Sequence, residues 1–467
     1  VPVFEHSATY PHPRHEVFAW HERPGAFVRL TPPGSAIPLH GPTDGIRAGS
    51  RMEIRVSLPF LSALWPGDTA PGPSWMVEHT AYEPGVRFVD EQVRGPMEDW
   101  RHEHEFADAP GNGTTITDRL TYELPRPLRG VADGQVRRYL KGLFRFREEQ
   151  LRADLDLHAR LSGTPQVVAV SGASGMIGDQ LCALLTTGGH TVRRLVRRAA
   201  TSDDEIRWDP ARGELDPAAL AGVDTVVNLS GRSIGGRFTE SAKREILSSR
   251  VDSTTTLVRA IAAARAAGNG PGTLVQASGI GLYGARRPGE LLDEESRPGV
   301  DFLADVVRQW EAAADPVQDQ GVRLVKLRTG IVLGAASGAL ALQLPLFMVG
   351  VGGRLTDPQS MMSWIGLDDM VRVYASAVLD PEWTGAVNAV APHPVSAGAF
   401  ATRLGRVMHR PSLVPTPAFG PKLVLGREGA DVLVRTDQRV SSARLESLGF
   451  RFSHPELEPA LRHALAR

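Results

Sequence analysis

Three glycines spaced by three, Gly172, Gly175 and Gly178, end the β-branched run of VVAVSGASGMIG and open onto the helix-forming stretch MIGDQLCALLTTGG. Strand, glycine turn and helix in that order meet the needs of a dinucleotide site. Glycine at the turn permits positive φ, glycine beside the pyrophosphate lets the backbone approach, and the helix start points unsatisfied N–H groups at the phosphates. The expected cradle is Gly172, Ala173, Ser174, Gly175, Met176, Ile177 and Gly178. A glycine-rich turn without a ligand is the competing reading, and it carries less weight in this context.

The next strand, HTVRRLVRR from His190, sharpens the chemistry. An NAD site places Asp or Glu about 20 residues after the glycines to hold the ribose 2′-hydroxyl. No carboxylate stands there; Arg197 and Arg198 offer guanidinium forks suited to a 2′-phosphate, which favours NADP(H) over NAD(H). The alternative is a pair of arginines that merely solvates a strand end.

The elements that position these groups follow from alternation. VDTVVNLSG (223–231), TLVQASG (273–279) and VRLVKLRTG (from Val322) read as strands, separated by helical stretches over 239–267 and 302–320. This builds a doubly wound parallel sheet, an α/β Rossmann-type fold whose ligands lie at the carboxyl ends of the strands. Asn228, Ser230 and Gly231 are therefore expected near the nucleotide, and Ser278, Gly279 and Arg328 near nucleotide or substrate. SMMSWIGLDDMVRVYASAVL, from Ser360, reads as strand, turn and helix, with Asp368 and Asp369 either capping that helix or forming an acidic functional pair. Helical patterns around the proline-rich PSLVPTPAFGPK suggest a small carboxyl-terminal lobe at about 395–467.

Everything before residue 163 forms a separate unit, ended by the small-residue linker RLSGTP. FEHSATY, SRMEIRVSLPF, SWMVEHTAYEP, VRFVDEQVRG, DWRHEHEFAD and TTITDRLTYELP alternate like strands, and a long helical pattern over 134–161 closes the unit. Strands first and a helix last imply an α+β unit, an antiparallel sheet wrapped over a helix. Trp100, His102, His104 and Phe106 share one face of their strand. A metal between the two histidines lacks a clear third or fourth ligand nearby in the sequence, so packed or pocket-lining residues are expected and no metal.

Composition bounds the rest. The 467 residues are too many for one core, and 52 basic against 53 acidic residues give no concentrated basic face for nucleic acid or an anionic membrane. The single cysteine, Cys182, sits in the apolar pattern of the first nucleotide-domain helix, implying a buried, inert thiol in a reducing interior. No leader-like segment or bilayer-length apolar run is visible, which leads to the expectation of a soluble, cytoplasmic protein.

GASGMIG, VDTVVNLSG, ASGIGLYG, DFLADVVRQWEAAA, LRTGIVLG and MSWIGLDDM, in this order, resemble the atypical extended short-chain dehydrogenase/reductases of the NAD-dependent epimerase/dehydratase-like "epimerase family protein" group. RTDQRVSSARLESLGFRF is similar to the small carboxyl-terminal domain of unknown function carried by that group. The amino-terminal unit, through PHPRHEVFAWHERPGAFVRLTPP and RFVDEQVRGPMEDWRHEHEF, resembles START-like, helix-grip domains of the polyketide cyclase and coenzyme-Q-binding kind. The resemblances imply a START-like domain over 1–162, with an apolar ligand inside it, and a nucleotide domain over 163–467. They also imply a small-molecule substrate and admit a homodimer.

One departure is large. The superfamily's usual acid/base pair is Tyr-x-x-x-Lys, but the residues four before the four lysines are Arg137, Thr239, Val322 and Ala418. Where the pair belongs stand Phe302, Leu303, Val306 and Val307. Ser278 falls at the family's serine, and Tyr283 is expected in a loop, either as a proton donor whose pKa a nearby arginine depresses or as a wall of the substrate cleft. The expected function is an NADP(H)-dependent oxidoreductase or epimerase-like enzyme with Ser278 and Tyr283 at its catalytic centre. The alternative is a non-catalytic NADP(H)-binding sensor or scaffold.

Overall fold

The computed structural model describes residues 1–57, 72–130, 132–412, 426, 428–430 and 435–467. The end of SRMEIRVSLPF and nearly all of PSLVPTPAFGPK lie outside them.

Seven antiparallel strands form the first sheet: β1 (Val3–Tyr10), β2 (Ala36–His40), β3 (Arg51–Val56), β4 (Ser74–Glu83), β5 (Arg87–Arg94), β6 (Asp99–Ala109) and β7 (Gly113–Glu123), in the order β1-β7-β6-β5-β4-β3-β2. Two short helices, α1 (Arg14–Glu22) and α2 (Ala26–Arg29), follow β1, and the long α3 (Asp133–Arg160) follows β7. The alternation of β6 places Trp100, His102, His104 and Phe106 on the buried face. There α3 contributes Leu140 and Phe144 to a cluster with Phe4, Trp100 and Tyr122, and Leu151 and Leu155 to one with Phe18, Phe88 and Phe106.

The second sheet contains β8 (Val167–Ser171), β9 (Thr191–Val196), β10 (Glu205–Asp209), β11 (Glu214–Leu215), β12 (Thr225–Asn228), β13 (Thr273–Gly279), β14 (Arg323–Thr329) and β15 (Gly385–Ala389). Their order is β11-β10-β9-β8-β12-β13-β14-β15, all parallel except the short edge strand β11. Chain direction across the sheet reverses between β8 and β12, the switch point where a Rossmann sheet opens a crevice. Helices α4 (Met176–Thr187) and α7 (Leu367–Leu379) bury Leu181, Leu185, Met370 and Tyr374 on one face; α5 (Glu240–Ala266) and α6 (Phe302–Ala314) supply Leu257, Ile261 and Ala314 to the other. Cys182 is buried in the first of these layers.

Several expectations change. Strands β10 and β15, short and flanked by turns, carry too little alternation to stand out in the sequence. The presumed loop GLYGARRPG is instead a 3-10 turn, Ile280–Tyr283, followed by a strand, Arg286–Leu292, that pairs with Asp437–Val440. The strand partner comes from the distant carboxyl-terminal segment, so local glycine and proline signals pointed the wrong way. Among the described residues, no helix is long and apolar enough to cross a membrane.

The first sheet is fastened to the second through a buried charge network. Arg29 of α2 has no exposure and gives Nε and Nη2 to Asp154 of α3 at 2.8 and 2.9 Å, and Nη1 to Gln180 of α4 at 2.8 Å and Asp368 of α7 at 3.2 Å. Asp368 and Asp369 therefore do not cap α7, whose N-cap is Gly366 without a side-chain cap bond. Asp368 faces Arg29 and His463, while Asp369 accepts the backbone N–H groups of Ser453 and His454 at 2.9 and 3.1 Å. Truncating one partner leaves an uncompensated charge away from water. Asp154→Ala is expected to lower the unfolding free energy by about 3–5 kcal/mol, measured by urea denaturation, with Asp154→Asn losing less.

Candidate functional site

The glycine cradle sits at the carboxyl end of β8, where α4 begins. Gly172 has φ +66°, and a Cβ there would stand 2.8 Å from the Leu229 carbonyl oxygen. A Cβ on Gly178 would lie 2.2 Å from the Gly172 oxygen, so helix and strand meet there backbone to backbone. Gly175 meets only the Gly172 oxygen, at 3.2 Å. No side chain caps α4, and the turn bond Asp179 N–H to Gly175 O, 2.9 Å, follows the amides of Met176 and Ile177. Those early amides are the donors an anion would take. Ala173 is buried beneath the turn, Ser174 is exposed, and Met176 lies against Gly334 and Gly338.

Arg197 and Arg198 follow β9, both exposed. Their roles separate. Arg198 is bound by both guanidinium nitrogens to Glu205 on β10, with Nη1 at 2.7 Å, whereas Arg197 has no partner among the described residues.

Asn228, Ser230 and Gly231 reach the end of β12, but Asn228 is wholly enclosed. Its Oδ1 accepts from Ser171 Oγ at 2.7 Å, and its Nδ2 donates to Thr254 and Gln276 at 3.0 and 3.1 Å. It ties three strands at the switch point together and shapes the crevice floor through them. Ser230 donates its N–H to Asn228 Oδ1 at 3.2 Å, and Gly231 lies against Arg250.

At the ends of β13 and β14 a second polar group assembles. Ser278 Oγ donates to Glu311 Oε1 at 2.5 Å, and Arg328 holds the same carboxylate with Nε and Nη2 at 2.9 and 3.0 Å. Arg328 Nη1 also donates to Tyr283 Oη at 3.1 Å, and Tyr283 donates in turn to Asn388 Oδ1 at 2.7 Å. Burial alone would raise the Glu311 pKa, but the hydrogen bonds and charge of Arg328 outweigh it and hold the carboxyl below its usual range. The balance at Tyr283 runs the other way: burial raises its pKa, and Arg328 and Asn388 offset only part of that. This corrects the expected depression. The phenol has no exposure, keeps its proton at neutral pH and already has partners for its hydroxyl. Leu303 and Val307 of α6 lie against Gly281 in the turn that carries Tyr283.

Glu311 and Asn388 escaped the sequence reading. Glu311 sits in the WEAAA of α6, and its distance from Arg328 is fixed only when α6 packs across β13; Asn388 belongs to the overlooked strand β15. Strand register also brings carboxylates to the paired histidines, because His102 lies opposite Asp90 and His104 opposite Asp118. Asp118 Oδ1 is 3.0 Å from His102 Nε2 and 2.6 Å from His104 Nδ1, while Asp90 Oδ1 is 3.5 and 3.6 Å from their other nitrogens.

A parallel sheet of this order, with a glycine turn at its switch point, defines a Rossmann-type nucleotide fold. Residues 168–341 match the NAD dependent epimerase/dehydratase family, and 416–464 match a domain of unknown function, DUF1731. An epimerase family protein of Mycobacterium bovis is 41% identical over 302 residues, which cover 64% of this chain and 98% of that protein. The human epimerase family protein SDR39U1, solved with NADPH, superposes with a TM-score of 0.57 at 31% identity, covering 63% of this chain and 98% of that one. A nucleoside-diphosphate sugar epimerase from Corynebacterium glutamicum has a TM-score of 0.80 at 33% identity and covers 99% of this chain and 90% of its own. The likeness to the bacterial structure thus extends over the amino-terminal sheet. This chain belongs to the epimerase family proteins.

Adding a methyl group separates the packing glycine from the open one. Gly178→Ala is expected to destabilise the fold by about 1–3 kcal/mol through overpacking, and Gly175→Ala by less, as measured by thermal unfolding.

Proposed function

We propose that this protein is an NADP(H)-dependent oxidoreductase of the epimerase-like kind acting on a small molecule. The observation that carries the reading is Arg197, exposed after β9 and without a partner among the described residues, while its neighbour Arg198 is bound to Glu205. The amides from Gly172 to Gly178 would hold the pyrophosphate, and Arg197 the 2′-phosphate. The human relative solved with NADPH supports the same cofactor. When bound, the nicotinamide supplies or accepts a hydride.

The chain's own groups fix the polar side of the reaction. Ser278 commits its proton to Glu311, so its oxygen presents lone pairs to a substrate hydroxyl. Arg328 keeps Glu311 ionised and therefore keeps Ser278 in this orientation. Because the Glu311 pKa is lowered, the bridge is complete above the ordinary carboxylate range and is lost only as pH falls through the folded value beneath it. Asn388 Nδ2, fully buried beside Tyr283, has no partner among the described residues.

A second reading, an NADP(H)-binding sensor or scaffold without turnover, draws support from Tyr283, whose hydroxyl is enclosed. On either reading the amino-terminal unit is a START-like helix-grip module whose ligand would be apolar, supported by the sheet held against α3 and the aromatic residues between them.

Binding and turnover divide these readings. Wild-type protein is expected to bind NADPH more tightly than NADH, and Arg197→Asp to narrow or reverse that preference in fluorescence titrations; equal affinities in the wild type overturn the assignment of Arg197. Ser278→Ala is expected to cut kcat/KM by ~10² in a screen of carbonyl compounds and quinones, with nucleotide affinity unchanged. Nucleotide binding with no turnover across the screen supports the sensor. Glu311→Gln is expected to lower kcat/KM at neutral pH and to remove the loss of activity that Glu311 protonation causes at low pH, because the neutral amide neither anchors Arg328 nor titrates.

A further inference from the structure

Hydrogen-bond assignments outside the nucleotide site converge on His463, which lies on α8 (Leu457–Ala464) near the end of the chain. Gln150 donates its Nε2 to Asp154 at 3.0 Å, which turns its Oε1 toward His463. His463 Nε2 thus faces two acceptors, Gln150 Oε1 at 3.3 Å and Asp368 Oδ2 at 3.2 Å, and must carry a hydrogen. The other ring nitrogen, Nδ1, lies 2.9 Å from Glu149 Oε2. In a neutral imidazole with its hydrogen on Nε2 those two atoms would oppose lone pairs, so their approach calls for a proton or a metal ion between them.

A third group favours the metal. His454 Nε2 lies 3.6 Å from the same carboxylate oxygen, and the three ligand atoms fall within 4.8 Å of one another. Bonds of about 2.0–2.1 Å around a tetrahedral zinc ion set its ligands about 3.3 Å apart, a separation that the 2.9 and 3.6 Å distances to the carboxylate bracket; the two imidazoles are stacked, with centroids 4.4 Å apart and 29° between their planes, so binding would turn the His454 ring toward the ion.

We propose that Glu149, His454 and His463 form a binding site for a divalent cation of the zinc class. His463 supports it from behind, since Nε2–H on Asp368 is the arrangement that orients and enriches a metal-binding imidazole. Charge balance agrees. The carboxylates of Glu149, Asp154, Asp368 and Asp369 face two guanidiniums, Arg29 and Arg372, leaving two negative charges when both histidines are neutral. Of the nearby arginines, Arg462 is paired with Glu458, and Arg145 and Arg467 are exposed to solvent. A cleft of about 140 Å³, lined by all three ligands, leaves room for a water as fourth ligand. Metal on Glu149, His454 and His463 would fasten α8 to α3 and so join the end of the chain to the amino-terminal unit.

The test uses the full chain, stripped with a chelator and titrated with ZnCl2 by calorimetry and thermal unfolding at neutral pH. The wild type is expected to take up Zn2+ at a site whose affinity falls at least ~10-fold in His454→Ala and in Glu149→Gln, while their melting temperatures without metal stay near the wild type's. Zinc should raise the melting temperature of the wild type but not of His454→Ala. No uptake by the wild type, or equal uptake and an equal shift in His454→Ala, overturns the proposal. So does a melting temperature that responds to pH through the histidine range but not to zinc, because the cation between Glu149 and His463 is then a proton.

Discussion

A guanidinium without exposure has to find its counter-charges inside the protein, and at Arg29 this requirement brings three parts of the chain together. Asp154 comes from the long helix of the first sheet, Gln180 from the helix that starts at the glycine cradle, and Asp368 from a helix on the same face of the second sheet. None of these groups tolerates the loss of its neighbours, because an unpaired charge in a low-dielectric setting costs far more than a surface pair contributes. The arrangement of the two sheets is therefore specified by polar geometry as well as by apolar contact. Gly25 adds a steric condition: with φ +100°, it lies so near α4 that a Cβ would stand 2.6 Å from the Ala183 carbonyl oxygen.

This constraint reaches the nucleotide site through α4. Its inner face is held by Leu181, Leu184 and Leu185 in the sheet's core, and its outer face by Arg29 and Gly25. A helix fixed on both sides presents its first amides in one orientation, which is the preorganisation that phosphate binding needs. The amino-terminal unit thus bears on the cradle through α4.

Legibility followed the range of the interactions. The glycine turn, β8, β13 and the helices α4 and α5 announce themselves because the determining residues are neighbours in sequence. The strand-end rule alone puts Arg328 near the site but not its partner Glu311, since a glutamate in WEAAA reads as an ordinary exposed helix residue until packing buries it. Asp368 and Asp369 had the local look of a helix cap; their actual partners, Arg29, His463 and the Ser453–His454 backbone, come from opposite ends of the chain. The carboxylates beside His102 and His104 follow from strand register, a quantity that no single strand contains.

The chain has no Tyr-x-x-x-Lys pair, and the ionisable groups that meet beside α6 are of a different kind. A lysine beside a tyrosine stabilises phenolate; here the cation beside Tyr283 is Arg328, which also binds Glu311, and burial outweighs its lowering of the phenol's pKa. The group that stays ionised is therefore the carboxylate. Its hydrogen-bond partner toward the end of β13 is Ser278, whose proton is already given away. Beside this chain of bonds the Asn388 amide Nδ2 has no partner among the described residues. An unsatisfied buried donor costs about 1–3 kcal/mol, and the bond from Tyr283 Oη to the oxygen of the same amide holds Asn388 in place against that cost.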